Sequence, residues 1–201
     1  MNVRIKPGLL KGDGIVPPSK SLSHRAIIAA SLSKGESRIS NILFSKDILA
    51  TIDACKAIGA NIEIDGNALN IKGKGFVERK EDIIDSNESG STVRFMIPIA
   101  LTNDNPITFV GKNNLVNRPL DSFLEIFDKQ NIKYEKENDK YLPLKVYSKI
   151  KPGSFEIRGD VSSQFITGLL YALPLLDGDS VIHISTEMES KGYIDFTIDI
   201  L

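Results

Sequence analysis

Three short segments of the chain follow one pattern, and a repeat constrains architecture more tightly than any single helix or strand can. Ser23-His24-Arg25-Ala26-Ile27, Thr92-Val93-Arg94-Phe95-Met96 and Ser162-Ser163-Gln164-Phe165-Ile166 each follow a small polar loop and open an apolar stretch, at intervals of about seventy residues. The stretches, Ala26 to Leu32, Phe95 to Leu101 and Phe165 to Leu176, run into turn-forming clusters at Lys34-Gly35-Glu36, Asn103-Asp104-Asn105 and Asp177-Gly178-Asp179. A strand-like run follows each cluster, at Arg38-Ile39, Ile107 to Val110 and Val181 to Ile184.

A second helix-like segment begins near Asp47, Pro119 and Gly192, in the same register. In the second copy Leu120, Phe123, Leu124 and Phe127 follow the spacing of one helical face while Asp121, Ser122, Glu125 and Asp128 face away, which predicts a half-exposed helix. The first-type helices are apolar nearly all round and belong in the interior. Gly59 and Asn131 close the second helices, and both tolerate the left-handed backbone of a helix C-terminus. Asn61 to Ile64 with Ala68 to Ile71, and Ile132 to Glu135 with Leu142 to Tyr147, alternate around turn residues and read as hairpins. Each unit is therefore an α+β module of βαβαββ order. Leu201 follows too soon after Gly192 to leave room for a third hairpin, so the third unit reads as incomplete and the chain as a truncated or split lobe. Pro98 breaks a local rule, because proline inside a helix costs roughly 3 kcal/mol or kinks it. Pro174 marks a helix end.

Lys+Arg 25 against Asp+Glu 26 gives a net charge of −1, which lacks the basic footprint of a nucleic-acid binder. The N-terminus has no apolar signal core and no run approaches the roughly 20 apolar residues of a membrane span, so a cytoplasmic protein with no membrane contact is expected. Cys55 has no partner for a disulfide, and the distant His24 and His183 cannot furnish a zinc site; all three read as packing residues. Gly12-Asp13-Gly14 and Gly73-Lys74-Gly75 lack the strand-loop-helix frame of a phosphate fingerprint.

An anion site on so neutral a chain must be built locally, and the repeated loops offer one. Three homologous helices packed about a pseudo-threefold axis would direct their free N–H groups toward one end, where they favour negative charge. Cations stand in or beside the same loops: Lys20, Arg25, Arg94, Arg118 and Lys191. Ser21, Ser23, Ser91, Thr92 and Ser162 also fit ordinary helix N-caps, with solvated cations beside them, but three loops in register argue for a shared site.

The loops resemble those of the enolpyruvyl transferases that act on shikimate 3-phosphate. Val16-Pro17-Pro18-Ser19-Lys20-Ser21-Leu22-Ser23-His24-Arg25-Ala26 is similar to that family's N-terminal signature, and Glu88-Ser89-Gly90-Ser91-Thr92-Val93-Arg94 to its Gly-Thr-x-x-Arg loop. Asn117-Arg118-Pro119-Leu120, Asp160-Val161-Ser162-Ser163-Gln164-Phe165 and Ser190-Lys191-Gly192-Tyr193-Ile194-Asp195 resemble three further signatures, in the family's order. The resemblance implies an enolpyruvyl-transferase-like lobe of βαβαββ units about a pseudo-threefold axis, with buried helices and sheets outside. Residues 1–15 would be a lead-in strand or interlobe segment and 16–201 the N-terminal, shikimate-3-phosphate-binding lobe, with the C-terminal lobe absent.

The same resemblance implies transfer of the enolpyruvyl group of phosphoenolpyruvate to the 5-hydroxyl of shikimate 3-phosphate, with no metal or organic cofactor. Ser21 and Arg25 would hold the shikimate carboxylate and neighbouring groups. Ser162, Ser163 and Ser190 would bind the 3-phosphate, with Tyr193 lining that pocket. Lys20, Gly90, Arg118 and Gln164 would face phosphoenolpyruvate, Gln164 touching the shikimate side as well and Lys20 acting in catalysis. The principal acid–base carboxylates would come from the second lobe, so this chain alone should turn over negligibly.

Several positions depart from the family pattern. Pro18 and Gly192 exchange the usual Gly and Pro, and Glu88 stands where Asn is common, a carboxylate that Arg94 would have to pair. Ser91 and Phe95 alter the wall beside Gly90 and put inhibitor sensitivity in doubt. A relative acting on UDP-N-acetylglucosamine is disfavoured by Lys20-Ser21 with Arg25 and by Cys55 lying outside the repeated loops. A non-catalytic anion-binding module of the same fold, and a dimer formed through the incomplete unit, are the other readings.

Overall fold

The computed structural model describes residues 3–9 and 11–201. Its first unit runs α1 (Lys20–Leu32), β1 (Lys34–Ile39), α2 (Lys46–Ala57), β2 (Asn61–Asp65) and β3 (Ala68–Lys74). The second runs β4 (Ile83–Asp85), α3 (Gly90–Ala100), β5 (Ile107–Val110), a 3-10 turn at Asn113–Asn117, α4 (Asp121–Gln130), β6 (Tyr134–Lys136) and β7 (Leu144–Val146). The third runs β8 (Ser154–Ile157), α5 (Ser163–Ala172) with a 3-10 turn at Leu173–Leu175, β9 (Val181–Ile184) and α6 (Lys191–Ile200).

The sheets repeat as the helices do. In strand order they are β1-β3-β2, β4-β5-β7-β6 and β8-β9. The strand before each inner helix pairs parallel with the strand after it, β4 with β5 and β8 with β9, while β3 and β7 flank β1 and β5 antiparallel. Among the described residues no strand occupies β4's place beside β1. The lead-in strand read at 1–15 is not formed: residues 3–9 and 11–15 make no regular element, and Val3, Ile5, Leu9 and Ile15 are exposed. Without a ladder partner an isolated strand has little to hold it. Residues 1, 2 and 10 lie outside the described part.

The inner helices are buried because they offer no polar face. In α3, Val93, Phe95, Met96, Ile97, Ile99 and Ala100 are all at most 1% exposed, and burial of each large side chain contributes roughly 1.5–3 kcal/mol. Pro98 does sit inside α3. Its missing N–H leaves the Arg94 carbonyl without the usual i+4 donor, and α5 packs on that spot through Gly168: a Cβ there would lie 2.5 Å from the Arg94 carbonyl oxygen and 2.9 Å from Pro98 Cγ. Helix α4 is amphipathic as read, burying Phe123, Leu124, Ile126 and Phe127. It ends at Asn131 with φ 57°, and α2 is followed by Gly59 at φ 108°. The segment Lys34-Gly35-Glu36, read as a turn, is instead the start of β1, paired with Lys74-Gly73-Lys72. Gly73 makes this possible, since a Cβ there would sit 2.1 Å from the Ser33 carbonyl at the end of α1.

Candidate anion-binding site

Helices α1, α3 and α5 begin alike. Ser19, Ser89 and Ser162 are their N-caps, each side chain accepting a backbone N–H of the first turn. None of the three has an acidic residue in its first turn, whereas α2 and α4 have Asp47 and Asp121. Helices α2 and α4 thus carry a carboxylate at their positive ends, whereas α1, α3 and α5, like α6, leave theirs without one.

Hydrogen bonds bring these starts together. Gln164 at the start of α5 donates to Ser91 Oγ of α3 at 2.9 Å and accepts from Arg94 at 2.8 Å. Arg25 of α1 donates to Thr167 Oγ1 of α5 at 3.2 Å. Thr92 of α3 meets Thr51 of α2 at 2.7 Å, and Thr51 meets His24 of α1 at 2.7 Å. Arg118 lies beside the Gly90 backbone, where a Cβ would stand 2.7 Å from its NH1 nitrogen. On the far side, Glu189 N donates to the Gly159 carbonyl at 3.0 Å, and Gly159 and Asp160 donate to Thr186 Oγ1, so the loop carrying Ser162 and the one carrying Ser190 are joined.

The electrostatics follow from what is missing. Among the described residues no carboxylate pairs with Arg25, Arg94 or Arg118. Burial lowers the Arg25 and Arg94 guanidinium pKa values, and Arg118 beside Arg94 lowers the latter further. Asp160, which could offset these charges, is held by Arg158 through two bonds and kept below the usual carboxylate range. Unpaired positive charge that is partly desolvated favours a bound anion.

The residues singled out from sequence fall into distinct states. Ser163 and half-buried Ser162 sit at the start of α5, and exposed Ser190, at φ 57°, precedes α6. Ser21 is half-buried and gives its carbonyl to Arg25. Tyr193 is 44% exposed, its carbonyl accepting from Arg25 Nε and its ring 5.5 Å from the guanidinium. Arg25 itself is only 3% exposed and already bonded to Ser21, Thr167, Tyr193 and Thr197. These bonds leave one N–H on each terminal nitrogen for a ligand. Lys20 is paired with Asp47 at 2.6 Å. The pairing of Arg94 with Glu88 does not occur, because Arg94 lies over the Phe165 ring at 4.8 Å and bonds Gln164 and the Pro119 carbonyl instead. Glu88 is exposed.

Sequence reasoning missed Asp47, Thr51, Thr167 and Thr197. Asp47 looks like an ordinary first-turn acid, and a threonine inside an apolar helix gives no sign that its hydroxyl meets another helix. His24, read as packing, is buried but also bonds Thr51. Among the described residues no group of three or more His, Cys, Asp or Glu is placed to hold a metal ion, and no helix is long and apolar enough to cross a membrane.

A profile described as EPSP synthase (3-phosphoshikimate 1-carboxyvinyltransferase) matches residues 5–201. The 3-phosphoshikimate 1-carboxyvinyltransferase of Clostridium novyi (strain NT) is 53% identical over 209 residues, covering 100% of this chain and 48% of that protein. Its namesake from Clostridioides difficile (strain 630) is 51% identical over 208 residues, covering 98% and 47%. The chain therefore spans about half the length of these relatives. The structure of EPSP synthase from Acinetobacter baumannii superposes with a TM-score of 0.78 at 20% identity, over 93% of this chain and 42% of that one, and so shares the fold. With the profile running through all three units and the repeated loops converging as described, the chain belongs to the EPSP synthase (3-phosphoshikimate 1-carboxyvinyltransferase) family.

Proposed function

We propose that this chain is the shikimate-3-phosphate-binding lobe of a 3-phosphoshikimate 1-carboxyvinyltransferase, with residues 16–201 forming the lobe and residues 1–15 leading to the other half. The supporting observation is the convergence of three acid-free helix starts with three unpaired arginines. Ser162, Ser163 and Ser190 receive the 3-phosphate, with Tyr193 and Gln164 along its wall. Ser21 and the free N–H groups of Arg25 take the shikimate carboxylate and its neighbours. Lys20, Gly90, Arg118 and Gln164 face phosphoenolpyruvate, Gly90 allowing close approach and the cations balancing its charge.

In the reaction the 5-hydroxyl oxygen bonds to the enol carbon of phosphoenolpyruvate while its proton leaves to a base and another reaches the methylene carbon. Loss of phosphate and a methyl proton from that tetrahedral adduct then regenerates the enol ether. This lobe supplies anion binding and orientation, with Lys20 assigned a catalytic role, while the remaining acid–base groups belong to the part of the relatives that this chain does not span. Alone it binds without useful turnover, and we place it in the cytoplasm with its small anionic substrates.

Calorimetric titration with shikimate 3-phosphate tests the reading. Wild type should bind and Ser163→Ala should bind more weakly; absence of binding to wild type rejects it. If wild type binds but joining the remaining half of the Clostridium novyi relative restores no turnover, the chain is a non-catalytic anion-binding module instead.

A further inference from the structure

We propose that His24, Thr51 and Thr92 are positioning residues that hold the Gly90 loop in register with the Lys20–Asp47 pair; this rests on the functional reading above. The three side chains form one buried line across α1, α2 and α3. His24 Nδ1 lies 2.7 Å from Thr51 Oγ1, Thr51 Oγ1 2.7 Å from Thr92 Oγ1, and Thr92 Oγ1 2.7 Å from Ser89 Oγ, the N-cap of α3. Thr92 Oγ1 also approaches the Asp47 carbonyl at 3.4 Å, next to the side chain that holds Lys20. All four residues are at most 1% exposed. One end of the line therefore fixes the turn that presents Gly90, and the other sits one helical turn below Lys20.

Packing alone does not account for these residue types. His24 Nε2 is buried with no hydrogen-bond partner among the described residues, a situation that destabilises the fold. An apolar side chain of similar size would fill the same space against Phe95 without that penalty. The imidazole is buried neutral among Lys20 and Arg25 of α1 and Asp47 of α2, with the Phe95 ring of α3 edge-on at 6.4 Å. A hydroxyl line between three helices has directional preferences that methyl groups lack, so it holds a spacing rather than merely occupying volume.

Thr51, in the middle and fully buried, permits a clean test. Thr51→Val keeps the shape and removes both hydroxyl links; Thr51→Ser keeps the hydroxyl and removes the methyl. We expect Thr51→Val to weaken phosphoenolpyruvate binding, measured in the presence of saturating shikimate 3-phosphate, by about tenfold while shikimate 3-phosphate affinity changes less than about twofold. Thr51→Ser should stay within about twofold for both ligands. Amide hydrogen exchange gives a readout free of ligand: Thr51→Val should speed exchange at residues 90–93 and not at 163–166. Unchanged exchange and affinity in Thr51→Val overturns the proposal, as does equal impairment in Thr51→Ser, which would signal packing. Should Thr51→Val fail to fold, His24→Asn and His24→Leu provide the same contrast, the first keeping a hydrogen-bonding group toward Thr51 and expected to behave as Thr51→Ser, the second lacking one and expected to behave as Thr51→Val. Wild type that ignores shikimate 3-phosphate rejects the functional reading, and the exchange data still decide the positioning role.

Discussion

Two neighbouring residues on α1 staple different parts of the lobe with different chemistry. His24 joins α1 to α2 and α3 through neutral hydroxyls, and its line ends inside the protein. Arg25 joins α1 to α5 and α6 through Thr167, Thr197 and the Tyr193 carbonyl, carries its charge into the interior, and keeps two N–H groups uncommitted. The first seam is closed and can only position. The second is satisfied enough to stand and unsatisfied enough to bind, and beside it Ser190 makes no side-chain cap bond to α6 among the described residues.

The sharpest way to break the contrast is Arg25→Ala. It removes four hydrogen bonds and opens space between Phe95 and Tyr193, whose ring centroids lie 5.2 and 5.5 Å from the guanidinium carbon. Equilibrium urea unfolding should show a loss of about 3–5 kcal/mol. Retained stability with lost ligand binding would make Arg25 a pure ligand contact and erase its part in the second seam.

His24 should reveal itself by pH. Burial lowers its pKa from 6.5 to about 4, with Lys20 and Arg25 acting in the same direction against Asp47. The unfolded chain therefore takes up the proton first as pH falls, so the stability that the neutral ring contributes is complete above about pH 6.5 and disappears between there and about pH 4, some 3 kcal/mol in all. His24→Asn should flatten that part of the stability profile. An unchanged slope would mean that His24 protonates freely and that the first seam is not closed.

Gly168 lies where α5 meets α3, between the two seams. A methyl group there meets the Arg94 carbonyl at 2.5 Å, backbone that cannot swing aside, so Gly168→Ala should cost about 1–3 kcal/mol by thermal or urea unfolding. Because the displaced helix carries Ser163 and Gln164, shikimate 3-phosphate binding should weaken along with it.

What the sequence disclosed divides along the same line. The units, the buried and half-exposed helices, and the Asn131 and Gly59 endings were legible because each depends on local periodicity or on a backbone that few residues tolerate. The convergence of the repeated loops was legible from their register. The start of β1 at Lys34 was not, because its strand pairing depends on Gly73 about forty residues away, and loop-like composition there masks it. The partners of Arg25 were hidden for a related reason: Thr167 and Thr197 sit in apolar helices and act only once three helices meet. Glu88 was given Arg94 as a partner on sequence proximity, while the aromatic face of Phe165, brought in by α5, offered the guanidinium a better place.

The smallest structural effect should come from the most suggestive ion pair. Lys20 and Asp47 meet at 2.6 Å, but their side chains are 56% and 30% exposed, and a pair so hydrated contributes at most about 1 kcal/mol to folding. Asp47→Asn should therefore leave the unfolding midpoint almost where it was. It also removes the one carboxylate that competes with a ligand anion for Lys20, while the Asp47 backbone carbonyl that Thr92 approaches is retained. If the pair only parks Lys20, phosphoenolpyruvate should bind at least as tightly to Asp47→Asn as to wild type. If it aims Lys20, binding should weaken although stability does not, and Asp47 then joins the first seam as its outermost, solvent-facing member.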